Sequence, residues 1–347
     1  MGESRRILVA MSGGVDSSTV AWLLKEAGND VAGAFMSRSD ESSAQACARA
    51  ARVAEFLEIP FSVVDCDSEF ETLIDLFCSE YLRGRTPNPC AVCNPTIKFK
   101  RLLGEAERLG MDALATGHYV RSSLEGGRWR LWRGVDERKD QSYYLFGLTQ
   151  KHLQKVIFPL GDRTKEEVRQ LAARAGLPSA ESRESQDVCF VPDGDYARLV
   201  RERFASSIEP GDIVDTSGSI VGRHDGIAGF TIGQRRGVGV AAGVPRYVIS
   251  IDPRTSRIVI GTKKDLEVDH CTVENVNWVS IPAPAQPIEC GVQIRYQSKP
   301  TPATVTIAGR YTIYVRFEHP QRAVTPGQAA VFYDGLTVLG GGWIAGD

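Results

Sequence analysis

Three sets of residues in this chain have types and spacing suited to chemistry. The first is Ser12-Gly13-Gly14-Val15-Asp16-Ser17-Ser18, directly after the apolar run Ile7–Met11. Two glycines let the backbone approach a ligand, small hydroxyls supply short hydrogen bonds, and a helix start offers unpaired N–H groups and a positive dipole end. Such a turn holds an anion. It is no Walker A loop, because Gly-Lys-Ser/Thr is missing. The second set is Cys90 and Cys93, which follow Pro87-Asn88-Pro89 at a helix entry. The prolines keep the approach extended, and the helix N-terminus with Lys98 and Lys100 is expected to favour thiolate. The third is Cys189, in Ser185–Pro192, expected to lie in a strand.

The other five of the eight cysteines, Cys47, Cys66, Cys78, Cys271 and Cys290, read as small packed apolar residues. A structural zinc site calls for four ligands, and no second Cys-x-x-Cys exists. A thioredoxin-type pair is disfavoured because Cys90 and Cys93 do not follow the first strand. At 347 residues with net charge −2, the chain holds two or three domains and is no electrostatic glove for nucleic acid, so RNA contact must rest on local basic patches. No window is long and apolar enough to cross a membrane. The N-terminus runs straight into a strand rather than a signal peptide, so the cytoplasm is expected.

The elements that must position these residues alternate. Strands are expected at Ile7–Met11, Val31–Met36, Phe61–Val64 and Ala113–Thr116, and helices at Ser17–Ala27, Ser43–Leu57, Phe70–Arg83, Ile97–Leu109 and Thr164–Ala175. That order predicts an α/β fold with a parallel sheet, whose ligand crevice lies beyond the strands' carboxyl ends. Ser12, Met36 and Gly117 would line it. Past about residue 205 the runs shorten; Tyr247–Ile251 and Arg257–Ile260 flank a turn, and Val292–Tyr296, Ala303–Ile307, Thr312–Phe317 and Ala329–Tyr333 suggest a small antiparallel barrel. The expected divisions are a catalytic domain over 1–204, a small β-rich central domain over 205–268 and a C-terminal β-barrel over 269–347.

The loop Ser12–Ser18 resembles the pyrophosphate loop of enzymes that split ATP into AMP and pyrophosphate. Taken with Phe35-Met36, Gly84–Pro89, Cys93-Asn94, Ile97–Lys100, Ala115–Tyr119, Lys139–Tyr143, Cys189-Phe190, Thr231–Gly237, Arg295-Tyr296 and Thr325–Gln328, it makes the chain resemble the bacterial tRNA-specific 2-thiouridylases over nearly its whole length. The resemblance implies an ATP-pyrophosphatase domain that adenylates the 2-oxygen of wobble uridine 34 and a sulfur that replaces it. It implies ATP and Mg²⁺ at Ala10, Met11, Ser12, Gly13, Gly14, Asp16, Ser17, Ser18, Met36 and Gly117, with Asp16 helping to hold the metal. Cys189 would carry a persulfide from a sulfur-donor protein, and Cys93 would attack the sulfur bridge, leaving a Cys93–Cys189 disulfide.

One residue departs from the family pattern: Cys90 stands where Asp is common. Related thiolation enzymes hold a four-iron four-sulfur cluster on three cysteines. Persulfide relay and a cluster on Cys90, Cys93 and Cys189 therefore both stay open. By resemblance Asn88, Pro89 and Cys90 meet the target base, and Lys139, Asp140, Gln141, Arg295, Tyr296 and Gln328 meet tRNA with Lys, Glu or Gln anticodons. His118 is either a substrate contact or a hydrogen-bonded structural residue. Arg83, Arg85, Lys98, Lys100 and Arg101 offer a patch for the phosphate backbone. Two other readings are a different ATP-pyrophosphatase ligase or synthetase, which has no need of Cys93 with Cys189, and a non-catalytic RNA-binding sulfur carrier, which releases no AMP.

Overall fold

The computed structural model describes residues 4–182, 188–240 and 244–346; Ser185, Gln186 and Asp187 of the third segment lie outside the described residues. The chain opens with β1 (Arg6–Ala10), α1 (Val15–Glu26), β2 (Asp30–Ser37), α2 (Glu41–Phe56), β3 (Phe61–Asp65) and α3 (Asp67–Leu82). It continues through α4 (Pro89–Cys93), a π-turn (Asn94–Lys98), α5 (Phe99–Arg108), β4 (Ala113–Ala115), a hairpin of β5 (Val120–Glu125) and β6 (Arg128–Arg133), α6 (Gln150–Lys155), β7 (Val156–Ile157) and α7 (Lys165–Arg174). Five of these strands form a parallel sheet in the order β3-β2-β1-β4-β7. The apolar run of β1 is buried on both faces: Leu8 packs with Phe99 and Leu102 of α5, and Ile7 and Val9 pack with Val20, Val53 and Val168 of α1, α2 and α7. The strand order reverses at β1, the kind of position where open parallel sheets bind ligands beyond the strands' carboxyl ends.

The helix expected over Ile97–Leu109 is instead interrupted. Phe99 N–H bonds the Asn94 carbonyl, five residues back, and Pro95 has no N–H to give, so a π-turn joins α4 to α5. Cys189 also departs from expectation: it sits in a turn, not a strand.

After α8 (Tyr196–Phe204) come β8 (Gly211–Asp215), β9 (Ile220–His224), β10 (Tyr247–Asp252) and β11 (Arg257–Gly261), a mixed sheet ordered β10-β11-β8-β9. The rest is β12 (Glu267–Asn277), β13 (Ile288–Gln293), β14 (Thr301–Ile307), β15 (Ile313–Arg322), β16 (Ala329–Asp334) and β17 (Thr337–Ile344). They run antiparallel in the order β12-β15-β14-β13-β16-β17, and β12 pairs with β17 to close the barrel. The strand expected over Val292–Tyr296 ends at Gln293, whose amide donates to the Arg295 and Tyr296 carbonyls at 3.0 and 2.7 Å and turns the chain into a loop. The hairpin β5–β6 joins the barrel sheet by pairing Leu131 with Val338 and Trp132 with Thr337. The first and last thirds of the chain are thereby stitched together.

Candidate functional site

The anion turn is built as its residue types require. Gly13 has φ +76°, and a Cβ there would lie 2.5 Å from the Ala46 carbonyl oxygen, so glycine alone fits. Ser12 N–H donates to Ser17 Oγ at 3.1 Å, and the Ser17 and Ser18 hydroxyls donate back to the Gly14 carbonyl at 3.2 and 2.9 Å. No side chain caps α1, which leaves its N-terminus to a ligand. Gly117 closes the other wall, where an added Cβ would stand 3.1 Å from Asp16 Cβ and Ser17 N. Ala10 and Met36 are partly exposed at the ends of β1 and β2. Met11 is buried and packs under Gly33, so only its backbone can border a nucleotide.

Asp16 has partners that the sequence did not reveal. Lys165 Nζ, 149 residues away, donates to both carboxylate oxygens at 2.7 and 2.8 Å, and the Tyr119 hydroxyl donates to one of them at 2.7 Å. Lys165 is the first residue of α7 and is buried, so its cation is fixed at the loop. The capping box Thr164–Glu167 marks the helix start in the sequence, but not what its lysine faces. The donor set still suits Mg²⁺: Asp16, a hard-oxygen carboxylate beside the loop, would help to hold the ion, which would neutralise phosphate charge.

The thiols occupy a second wall. Asn88 caps α4 by accepting from Ala91 N–H at 3.2 Å, with Pro89 as the first helical residue. Both are buried, leaving Cys90 as the exposed member of that trio. The Cys90 thiol, exposed at the rim but hemmed in by protein, has its pKa raised by that crowding, with Lys98 opposing. Burial pushes the half-buried Cys93 up to about 11, against the pull of Lys98, with Cys189 and Cys90 adding to the rise. The expected bias toward thiolate is thus overturned at Cys93, because desolvation outweighs the nearby cation. Cys189 is exposed and close enough to act on both thiols. Its carbonyl accepts from Arg38, just past the end of β2, at 3.0 Å. Among the described residues no three His, Cys, Asp or Glu side chains come together as a metal site. The expected convergence of Cys90, Cys93 and Cys189 on an iron–sulfur cluster does not fit this arrangement.

Several residues expected on the RNA face have internal duties. His118 is buried, bonds Thr116 Oγ1 at 2.8 Å and stacks on Phe99; burial drives its pKa well below the ordinary imidazole value. Asp140 is buried and accepts from Gly134 N–H, Ser142 N–H and Ser142 Oγ at 3.1, 3.1 and 2.9 Å, so its carboxylate organises its own loop. Gln141 accepts from Tyr119 N–H at 3.0 Å, and Gln328 donates to the Thr86 and Pro87 carbonyls at 3.0 and 3.4 Å, bracing the cysteine loop. Arg83 and Arg85 pair with Glu80, and Arg101 with Glu69, whereas Lys98 faces the thiols. Lys139 lies on the Asp140 loop. Arg295, Lys263 and Arg322 line a cavity of about 450 Å³ beside Thr86 and Gln328. Tyr296 packs on Tyr144 with ring centres 4.5 Å apart, and both rings neighbour Cys90. Tyr144 was missed because nothing local separates it from a core aromatic.

A glycine- and hydroxyl-rich turn at the switch point of a parallel sheet, leading into an uncapped helix N-terminus, defines a nucleotide-binding class of enzyme. The family models agree domain by domain: "tRNA methyl transferase HUP domain" matches residues 5–193, "tRNA methyl transferase PRC-barrel domain" 199–262 and "Aminomethyltransferase beta-barrel domain" 268–344. Proteins named tRNA-specific 2-thiouridylase from Chloroflexus aggregans and Chloroflexus aurantiacus are 48% and 50% identical, over 98% of this chain and of each relative. The protein of that name from Syntrophotalea carbinolica is 47% identical over 99% of both. The chain belongs to the tRNA-specific 2-thiouridylase family.

Proposed function

We propose that this protein is an ATP-dependent tRNA-uridine 2-sulfurtransferase acting on wobble uridine 34 of tRNAs with Lys, Glu or Gln anticodons, in the cytoplasm. The observation that carries the reading is the hydrogen bond from Arg38 to the Cys189 carbonyl, which ties the turn bearing that thiol to the strand end beside the phosphate turn. The loop Ser12–Ser18 and Lys165 hold the triphosphate. The uridine 2-oxygen attacks the α-phosphate, pyrophosphate leaves, and the adenylated oxygen becomes a good leaving group. Most of this step is positioning and charge neutralisation.

Persulfide relay is the sulfur route that the separate thiols support. A donor protein's persulfide passes its outer sulfur to Cys189 and keeps its own thiol. The Cys189 persulfide attacks C2 and AMP departs. Cys93 then attacks the Cys189 sulfur; a Cys93–Cys189 disulfide forms, and 2-thiouridine leaves as the thiolate. An external dithiol reduces the disulfide. The Tyr144–Tyr296 pair beside Cys90 suits stacking of an unstacked base, and the cationic cavity at Arg295 suits a backbone phosphate. Cys93→Ser and Cys189→Ser are each expected to abolish 2-thiouridine formation while ATP binding is left intact. Normal thiolation by either variant refutes the assignment.

A further inference from the structure

Arg38 occupies an unusual place. It is the first residue after β2, its side chain is only 12% exposed, and it is held from three sides. Its Nε bonds Asp40 at 2.7 Å, its guanidinium lies 5.1 Å from the Phe70 ring centre, and a terminal nitrogen donates to the Cys189 carbonyl at 3.0 Å. Against the lowering effect of burial, the neighbouring Cys189 side chain helps to raise the Arg38 pKa. A planar fork of donors can grip a carbonyl and an anion at once, which an ammonium cannot do as well. Cys189 is otherwise exposed on a turn, so Arg38 is its anchor to the sheet.

We infer that Arg38 is the positioning residue for sulfur delivery: it fixes the Cys189 turn at the mouth of the nucleotide crevice and places a permanent positive charge against the anionic sulfur. This deepens the relay reading and rests on it. The charge has two uses in the balanced sequence above. It faces the Cys189 sulfur as that sulfur takes the donor's outer sulfur, and then the anionic terminal sulfur that attacks C2. Asp40 keeps the guanidinium aimed while leaving its other edge to Cys189.

The test compares alkylation of Cys189 by iodoacetate, an anion, and by neutral iodoacetamide, read at that peptide by mass spectrometry with glutathione in the same tube as reference. A local cation speeds the anionic reagent selectively, which a merely structural role would not do. In the wild-type chain the iodoacetate-to-iodoacetamide ratio at Cys189 is expected to exceed that of glutathione. Arg38→Met is expected to lower it about fivefold, a size typical of one charge near a surface thiol, and Arg38→Lys to keep most of it. An unchanged ratio in Arg38→Met overturns the inference, as does a loss in Arg38→Lys equal to that in Arg38→Met. The resting thiol is read without any sulfur donor, so this failure is distinct from failure of the relay, which would show as thiolation by Cys189→Ser.

Discussion

Replacing Lys165 by Met removes the cation that holds Asp16 while keeping much of the side-chain volume. The pair is tight, with contacts of 2.7 and 2.8 Å, and the Lys165 side chain is 10% exposed against 32% for Asp16. Breaking a fully buried pair costs about 3–5 kcal/mol. Here Asp16 keeps some water and the Tyr119 hydroxyl, so about 2 kcal/mol is expected, equivalent to a fall of roughly 4–8 °C in melting temperature. The functional loss has a separate source. A charge-assisted contact to phosphate is worth about 1.5–3 kcal/mol, so tRNA-dependent AMP release should fall about tenfold to a hundredfold. Thermal unfolding and an AMP assay over an ATP titration measure the two effects. Asp16→Asn with Lys165→Met closes a double-mutant cycle, where a coupling above about 1 kcal/mol is expected for groups in contact. A Lys165→Met protein that melts normally and releases AMP within twofold of wild type would refute the reasoning.

The remaining expectations are local. Gly13→Ala should abolish ATP binding, measured by calorimetry, because its Cβ meets the Ala46 carbonyl at 2.5 Å and its φ is +76°. Tyr144→Ala should raise the KM for tRNA about tenfold with AMP formation at saturating tRNA little changed, in line with about 1–3 kcal/mol for one stacked base; an unaltered KM removes Tyr144 from the base site. The Cys93 thiol, with its pKa raised to about 11 by burial, is protonated at neutral pH. Its alkylation by iodoacetamide in the free protein should therefore keep rising with pH past 9, where an ordinary thiol levels off. A plateau below pH 9 would contradict the burial argument.

Much of the catalytic layout was legible because local chemistry dictates it. Ser12–Ser18 had to carry the chain from a buried strand into a helix, since its glycines and hydroxyls leave few other uses. The alternation of runs through Ala113–Thr116 had to give a parallel sheet, and Pro87-Asn88-Pro89 had to lead into a helix, where Asn88 became the cap. These follow from backbone sterics and from burial of apolar runs, which act over a few residues. Tertiary structure alone decided the rest. Lys165 reaches Asp16 across 149 residues and Arg38 reaches Cys189 across 151. Asp140 and His118 proved internal, and Cys93 was turned from an expected thiolate into a protonated thiol. Each outcome depends on desolvation and on which charges meet, quantities set by packing between distant segments. The sequence by itself determined where phosphate and sulfur chemistry could occur; the folded chain determined which groups are charged there and what holds them in place.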